Sequence, residues 1–388
     1  MVSAKLKRIA IFLAVISTAS IPATAHADWS IKGLGTLAGA YSTATGINDS
    51  GQVVGISETA SGSQHAFITG PNGIVMTDLG TLGGSSQAND INDSGQVVGG
   101  SFTASGSRHA FITGPNGIGM TDLGTLGGEN SSAGGINNSG QVVGDSFTAS
   151  GSFHAFITGP NGEGMTDLGT LGGSLSIALG INDSGQVVGY SYTVSGNPHA
   201  FMTGSNGIGM TDLGTLGGSE SIAIGINDSG QIIGYSYIEN NSAQRAYITG
   251  PNGIGMTDLG TLGGYTSFAN AINDAGEVVG VAATAHGEFH TFIFSHGGIT
   301  DLSLLTAVVA DGWTSLVVNS INNNGQMVGS GYHNGNQEAF LLSYTPDTVF
   351  DPKPIYIPPV PEPETYLMLL GGLGLIGYFA RRRKEIAI

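Results

Sequence analysis

The chain has 388 residues with 66 Gly, no Cys and only 10% charged residues, against about 25% in an ordinary globular protein. That composition speaks against helices, which are built from long runs of Ala, Leu, Glu and Lys, and for short strands joined by tight turns. Between residues 28 and 350 three basic residues (Lys32, Arg108, Arg245) face 24 acids, a balance of −21; such a body repels phosphate backbones and anionic lipid, so no nucleic acid partner is expected.

In chain order, Lys5, Lys7 and Arg8 precede an apolar run from Ile9 to Ile16, and Ala25-His26-Ala27 ends the segment with small residues. This is the pattern of a secretory signal peptide over residues 1–27, cleaved between Ala27 and Asp28. An exported chain without cysteine must close its fold by means other than disulfides.

From there the chain repeats itself. The string Ile-Asn-Asp/Asn-x-Gly-Gln/Glu begins at Ile47, Ile91, Ile136, Ile181, Ile226, Ile272 and Ile321, in steps of 44, 45, 45, 45, 46 and 49 residues. A His-Ala-Phe-Ile-like segment travels with it, at His65, His109, His154, His199, Arg245, His290 and Glu338. A third string, Asp-Leu-Gly-Thr-Leu-Gly-Gly, follows at Asp78, Asp122, Asp167, Asp212 and Asp258, and in degraded form at Asp301.

Each unit reads as four short strands. In the second these are Gln87–Asn92, Gln96–Thr103, His109–Thr113 and Met120–Leu126. Asp93-Ser94-Gly95 and Gly114-Pro115-Asn116-Gly117 carry the turn chemistry between them. The last copy supplies only three strands, Asn319 to Tyr344, while Gly33-Leu34-Gly35-Thr36-Leu37 stands alone near the start.

Pairing the two ends would supply the missing fourth strand. The expected fold is therefore all-β: a seven-bladed β-propeller over residues 28–345, closed by its N- and C-terminal strands, rather than an open solenoid with exposed edges. The His-Ala-Phe segments make the repeats, from residue 33 to about residue 344, resemble the HAF-family extracellular repeat. That resemblance implies export and repetition but no substrate.

Several residue sets invite functional readings. The turn acids Asp49, Asp93, Asp183, Asp228 and Asp274 are the calcium candidates, although one Asp and one Asn per turn fall short of the six to eight oxygens calcium needs. The third copy carries Asn138 instead. Turn chemistry explains these residues, and only weak, distributed Ca²⁺ binding is expected of them. The repeated His residues are expected to hold neighbouring strands by hydrogen bonds, not to ligate a metal.

The repeated Asp of the third string offers identical environments where glycoside hydrolysis needs two differently tuned carboxylates. Only the irregular last repeat, with Asp311, Trp313, Tyr332, His333 and Glu338, breaks the symmetry. It is the place where a carbohydrate-active enzyme would have its site, with Trp313 and Tyr332 stacking on sugar rings. The expectation is a non-enzymatic chain without cofactor, serving as a surface or matrix protein whose loops bind, with exopolysaccharide as a partner.

The C-terminal end divides into a Pro-rich linker (346–359) and a tail (360–385). Val360-Pro361-Glu362-Pro363-Glu364 leads into an uncharged apolar stretch, Tyr366–Ala380, closed by Arg381-Arg382-Arg383-Lys384. A helix of that stretch would span roughly 22 Å, short of a ~30 Å bilayer core unless flanking residues snorkel. The basic cluster marks the cytoplasmic side. This tail resembles the PEP-CTERM sorting signal of Gram-negative bacteria. The resemblance implies that an exosortase-type enzyme recognises Pro361, Glu362 and Pro363, removes the transmembrane helix 366–380, and releases the inner-membrane-anchored body to the surface or extracellular matrix.

Overall fold

The computed structural model describes residues 28–345, all of them β-strand, turn or 3₁₀ structure except one short helix, Thr306–Ala310. The second repeat shows the plan, with strands Gly83–Ile91, Val97–Thr103, Arg108–Thr113 and Met120–Gly124 paired antiparallel in that order. The first strand ends at the Asn-Asp turn, which lines the axis, and the fourth is outermost.

The paired aliphatic residues of the second strand explain how one sheet packs on two neighbours. Successive side chains of a strand point to opposite faces. Val97 packs against the first repeat with Ile68 and Ala88, while Val98 packs against the third with Ile136 and Phe156. The glycine that follows this pair is required by the neighbouring strand. A Cβ at Gly144 would run into the Ser132 carbonyl, and one at Gly99 into that of Gln87.

The aromatic of each His-Ala-Phe segment fills the same interface. Phe67, Phe111, Phe156, Phe201, Phe292 and Phe340 are fully buried. Tyr247 replaces Phe in the fifth copy, and its hydroxyl donates to the Ile222 carbonyl at 3.2 Å, as a buried phenol requires.

Serine clamps fix the passage from one repeat to the next. Ser131 Oγ accepts the Ala110 N–H at 2.9 Å, and Ser86, Ser176, Ser221 and Ser267 do the same for Ala66, Ala155, Ala200 and Ala246. Ser42 receives Ala339 N–H from the last repeat, so the clamp runs across the chain ends as well.

Two sequence expectations need correction. The sheets do not form seven separate blades. Five four-stranded blades stand alone, and the third and fourth repeats share one eight-stranded sheet. The join is a parallel pairing of Phe153 with Leu175, where the chain enters the fourth repeat close beside the third strand of the one before.

The closing strand is Asp28–Gly33, not Gly33–Leu37. It pairs with Asn336–Thr345 in the register Asp28↔Thr345 to Gly33↔Phe340. In the first, third, fourth and fifth repeats the fourth strand ends at the Asp of the Asp-Leu-Gly-Thr-Leu string, in the second it runs on to Gly124, and the positive-φ glycines (Gly35, Gly80, Gly124) turn the chain toward the next repeat.

The predicted transmembrane helix 366–380, like the signal peptide, lies outside the described residues. Among the described residues no helix is long and apolar enough to cross a membrane.

Candidate functional site

Strand direction gives the ring two ends. The Asn-Asp and Pro-Asn-Gly turns lie at one end, together with Thr345, where the described chain leaves. The Thr-x-Ser-Gly turns, the His residues and the crossings between repeats lie at the other.

At the first end the seven Ile-Asn-Asp/Asn turns enclose an axial cavity of about 200 Å³. The buried Asn of each turn is spent on the ring. Asn92 Nδ2 donates to Gln96 Oε1 at 2.9 Å and to the Asn137 carbonyl of the next repeat at 3.0 Å. The series closes where Asn322 Nδ2 reaches the Asn48 carbonyl at 2.9 Å.

A second circle sits on it. Asp49 N–H donates to Asp93 Oδ1 at 3.0 Å, and the pattern continues through Asn138, Asp183, Asp228, Asp274 and Asn323 back to Asp49. The five calcium candidates are thus brought together at one mouth, which turn chemistry within a single repeat does not reveal.

Two carboxamides separate the charges. Asn138 Nδ2 bridges Asp93 and Asp183, and Asn323 Nδ2 bridges Asp49 and Asp274. Asp228 has Asp on both sides. Burial, and then the carboxylates of Asp183, Asp274 and Asp93, hold it above the usual carboxylate range against the N–H bond it accepts. Among the described residues no group of three or more His, Cys, Asp or Glu is placed to hold a metal ion.

At the second end the repeated His residues are strand staples. Nδ1 of His65, His109, His154, His199 and His290 lies 2.6–2.8 Å from the carboxylate of Asp78, Asp122, Asp167, Asp212 and Asp301. Arg245 takes the place of His opposite Asp258, at 3.7 Å. Asp78, Asp122, Asp167, Asp212 and Asp258 also accept the glycine N–H two residues on, as Asp78 does from Gly80 at 2.7 Å, while Asp301 accepts the Ser303 N–H at 2.9 Å.

The last repeat rebuilds this staple from other strands. Glu338 accepts Gly35 N–H at 2.8 Å and faces His333 Nδ1 at 3.3 Å. Asp311 lies 3.9 Å from His333 Nε2 and accepts the Trp313 indole N–H at 3.0 Å. The structure therefore gathers Asp311, Trp313, His333 and Glu338, but Trp313 is no sugar platform. It is 3% exposed, stacked on His333 and set edge-on to Phe340. Tyr332, 50% exposed, is open to a ligand.

The feature not read from the sequence is an aromatic strip at this second end. Tyr190 and Tyr235 hold one position in the second strands of the fourth and fifth repeats, and Asp145 holds it in the third. Tyr235 meets Phe268 at 5.0 Å between ring centres, and Phe268 meets Phe289 at 6.3 Å. Tyr265 and Phe289 are 82% and 54% exposed. Tyr192 lies beside Tyr190 and Tyr237 beside Tyr235.

Burial, with Tyr192, Asp145 and Tyr235 nearby, raises the Tyr190 phenol above its ordinary range. Burial likewise pushes Asp145 up to about 6 against the attraction of Arg108. The first and second repeats have Ile56 and Gly100 at the Tyr190 position, so the strip is one-sided.

Asp90 is a half-buried acid where other repeats have Gly46, Gly135, Gly180 and Gly225. Burial raises it to about 6 although it accepts the N–H of Ile91 and Ile136. Because the folded value lies above the ordinary 3.8, the folded chain binds this proton more tightly. The stabilisation is complete below about pH 4 and is lost as pH rises through 6. Asp90→Asn should therefore change the slope: between pH 7 and 4.5 the native protein should gain on the order of 2 kcal/mol relative to the variant, measured by urea melts.

The tail is recognised independently. Residues 359–384 match the PEP-CTERM protein-sorting motif. The PEP-CTERM match contains Pro361, Glu362 and Pro363, which lie outside the described residues, and it marks an exported protein that an exosortase recognises and processes through a membrane-anchored sorting signal. Among curated proteins none matches this chain.

Solved structures match the described body by fold alone. The β-propeller domain of the Trilobed protease from Pyrococcus furiosus aligns at TM-score 0.55 and 11% identity, over 80% of this chain and 100% of that one. Oligogalacturonate lyase from Vibrio parahaemolyticus aligns at TM-score 0.52 and 8% identity, over 81% and 93%.

Proposed function

We propose that this is a non-enzymatic surface or matrix protein that binds an uncharged polysaccharide of the producer's own matrix along the Tyr190–Tyr235–Phe268–Phe289 strip. The observation that carries the reading is that strip: half-buried and exposed rings in sequence along one side of one end of the ring. Aromatic faces bury the apolar faces of pyranose rings, while phenols and a carboxylate such as Asp145 meet hydroxyl groups. The −21 balance of the body disfavours a polyanionic glycan. The resemblance of the repeats to HAF-family extracellular repeats agrees with a place outside the cell. The weak Ca²⁺ binding expected of the turn acids would add to this role without being needed for it.

The test is retention on the purified polysaccharide. The native protein should be retained without releasing reducing ends, and Tyr235→Ala combined with Phe289→Ala should weaken retention by about tenfold or more. Equal retention of the variant would remove the strip from the account.

The second reading, a carbohydrate-active enzyme in the last repeat, is favoured by the Asp311–His333–Glu338 cluster. Release of reducing ends, abolished by Asp311→Asn or Glu338→Gln, would establish it.

A further inference from the structure

The exposed aromatic side chains lie at one end of the ring, whereas exposed aliphatics occur at both, with Val194 in a Thr-x-Ser-Gly turn of the aromatic end. The exposed aromatics Phe102, Tyr265, Phe289 and Tyr332 all lie at the end that carries the strip. The end that carries the axial acids instead shows branched aliphatics at the Pro-Asn-Gly or Ser-Asn-Gly turns. Ile118, Ile208 and Ile254 are 75–76% exposed, and Ile74 and Val75 belong to the same turn of the first repeat.

The fold does not require Ile there. The turn uses only main-chain groups of that residue: Ile118 N–H donates to the Pro115 carbonyl, and the Ile118 carbonyl accepts from Gly114. Glu163 occupies the position in the third repeat with the same backbone geometry. The Asn before it takes positive φ in every such turn, and that is what the turn demands.

We propose that this crown of aliphatic tips docks the ring on the surface of a zwitterionic phospholipid bilayer. The described chain leaves the ring at Thr345, on this same end. The PEP-CTERM motif begins at residue 359, so the connecting chain reaches at most about 50 Å even when fully extended. The crowned end is therefore the one from which the tether departs.

Tips spread around a rim suit shallow insertion between headgroups, and they offer a sugar no flat face. A second copy placed crown to crown would oppose two rings of five axial carboxylates. The same charge sets the lipid preference, because anionic headgroups are repelled. This inference stands apart from the glycan reading: it uses the opposite end of the ring and none of its residues.

The experiment is vesicle flotation of residues 28–345, which close their ring on their own strands and lack the sorting tail. The protein should float with phosphatidylcholine vesicles and less well once phosphatidylglycerol is added. Substituting Ile118→Ser, Ile208→Ser and Ile254→Ser together should cut the bound fraction about tenfold with an unchanged melting temperature. Ile→Val at the same three positions should retain most of the binding. Absence of flotation, or flotation untouched by the serine substitutions, would overturn the proposal. So would a vesicle-free dimer in sedimentation equilibrium that the serine substitutions dissolve, which would assign the crown to a second copy.

Discussion

Deletion of residues Asp28–Gly33 is expected to lower the melting temperature by about 10 °C or more and to convert the native species into a mixture of larger oligomers. The strand pairs over its whole length with Asn336–Thr345. Trp29 and Ile31 cover a cluster that contains Val279, Leu302, Trp313, Phe340 and Leu342, and Trp29 lies 5.1 Å from Tyr344 between ring centres. Removing it uncovers apolar surface worth several kcal/mol, at about 25 cal/mol per Å². It also leaves the last strand with a row of unpaired N–H and C=O groups, which invites another chain to pair. Calorimetry and size exclusion check the two parts. A variant of native size melting within about 2 °C of the native protein would show that the ring does not depend on its closing strand.

The second large effect belongs to the axial amides. Asn137 is buried, and its side chain makes four hydrogen bonds, to Gln141 Oε1, to the Asn182 carbonyl of the next repeat, and from Ser139 Oγ and Gln141 N–H. Asn137→Ala strands the Asn182 carbonyl and the Gln141 N–H in the interior, each at about 1–3 kcal/mol. The expected loss is about 3–5 kcal/mol in denaturant melts. A loss under about 1 kcal/mol would mean that the turn alone, without its neighbour, sets the stability.

Much of this architecture is legible one repeat at a time, because the forces involved act within one repeat. The Val-Val pair alternates by strand geometry, the Asn-Gly turns take positive φ, and the His-Ala-Phe aromatic is apolar at a buried place. What one repeat cannot show is the bond that leaves it. The Asn-Asp turn reads as local turn chemistry, yet its amide acts on the next turn and its carboxylate on the preceding one, 44 to 49 residues away. Five acids meet at one mouth for that reason.

The closing strand lies five residues before the expected one because Gly-Leu-Gly-Thr-Leu is the more recurrent string, while Asp28–Gly33 shares little with its counterparts beyond its position. The joined third and fourth repeats follow from a close backbone approach at Phe153 and Leu175 that no residue type marks. The aromatic strip escaped for a related reason. Tyr235, Phe268 and Phe289 sit on different strands of two repeats, and only the packing of one sheet on the next brings their rings together. Trp313 differs in the other direction: a Trp in an irregular insertion looks available in sequence, but the short helix Thr306–Ala310 and Phe340 enclose it.

Hydrogen–deuterium exchange of the protein with and without the polysaccharide tests the proposed function most directly. Binding along the strip predicts slowed exchange in 187–193, 232–238, 263–272 and 289–295, with the Pro-Asn-Gly turns at the opposite end unchanged. Protection confined to those turns, or to the last repeat around Asp311 and Glu338, would contradict it.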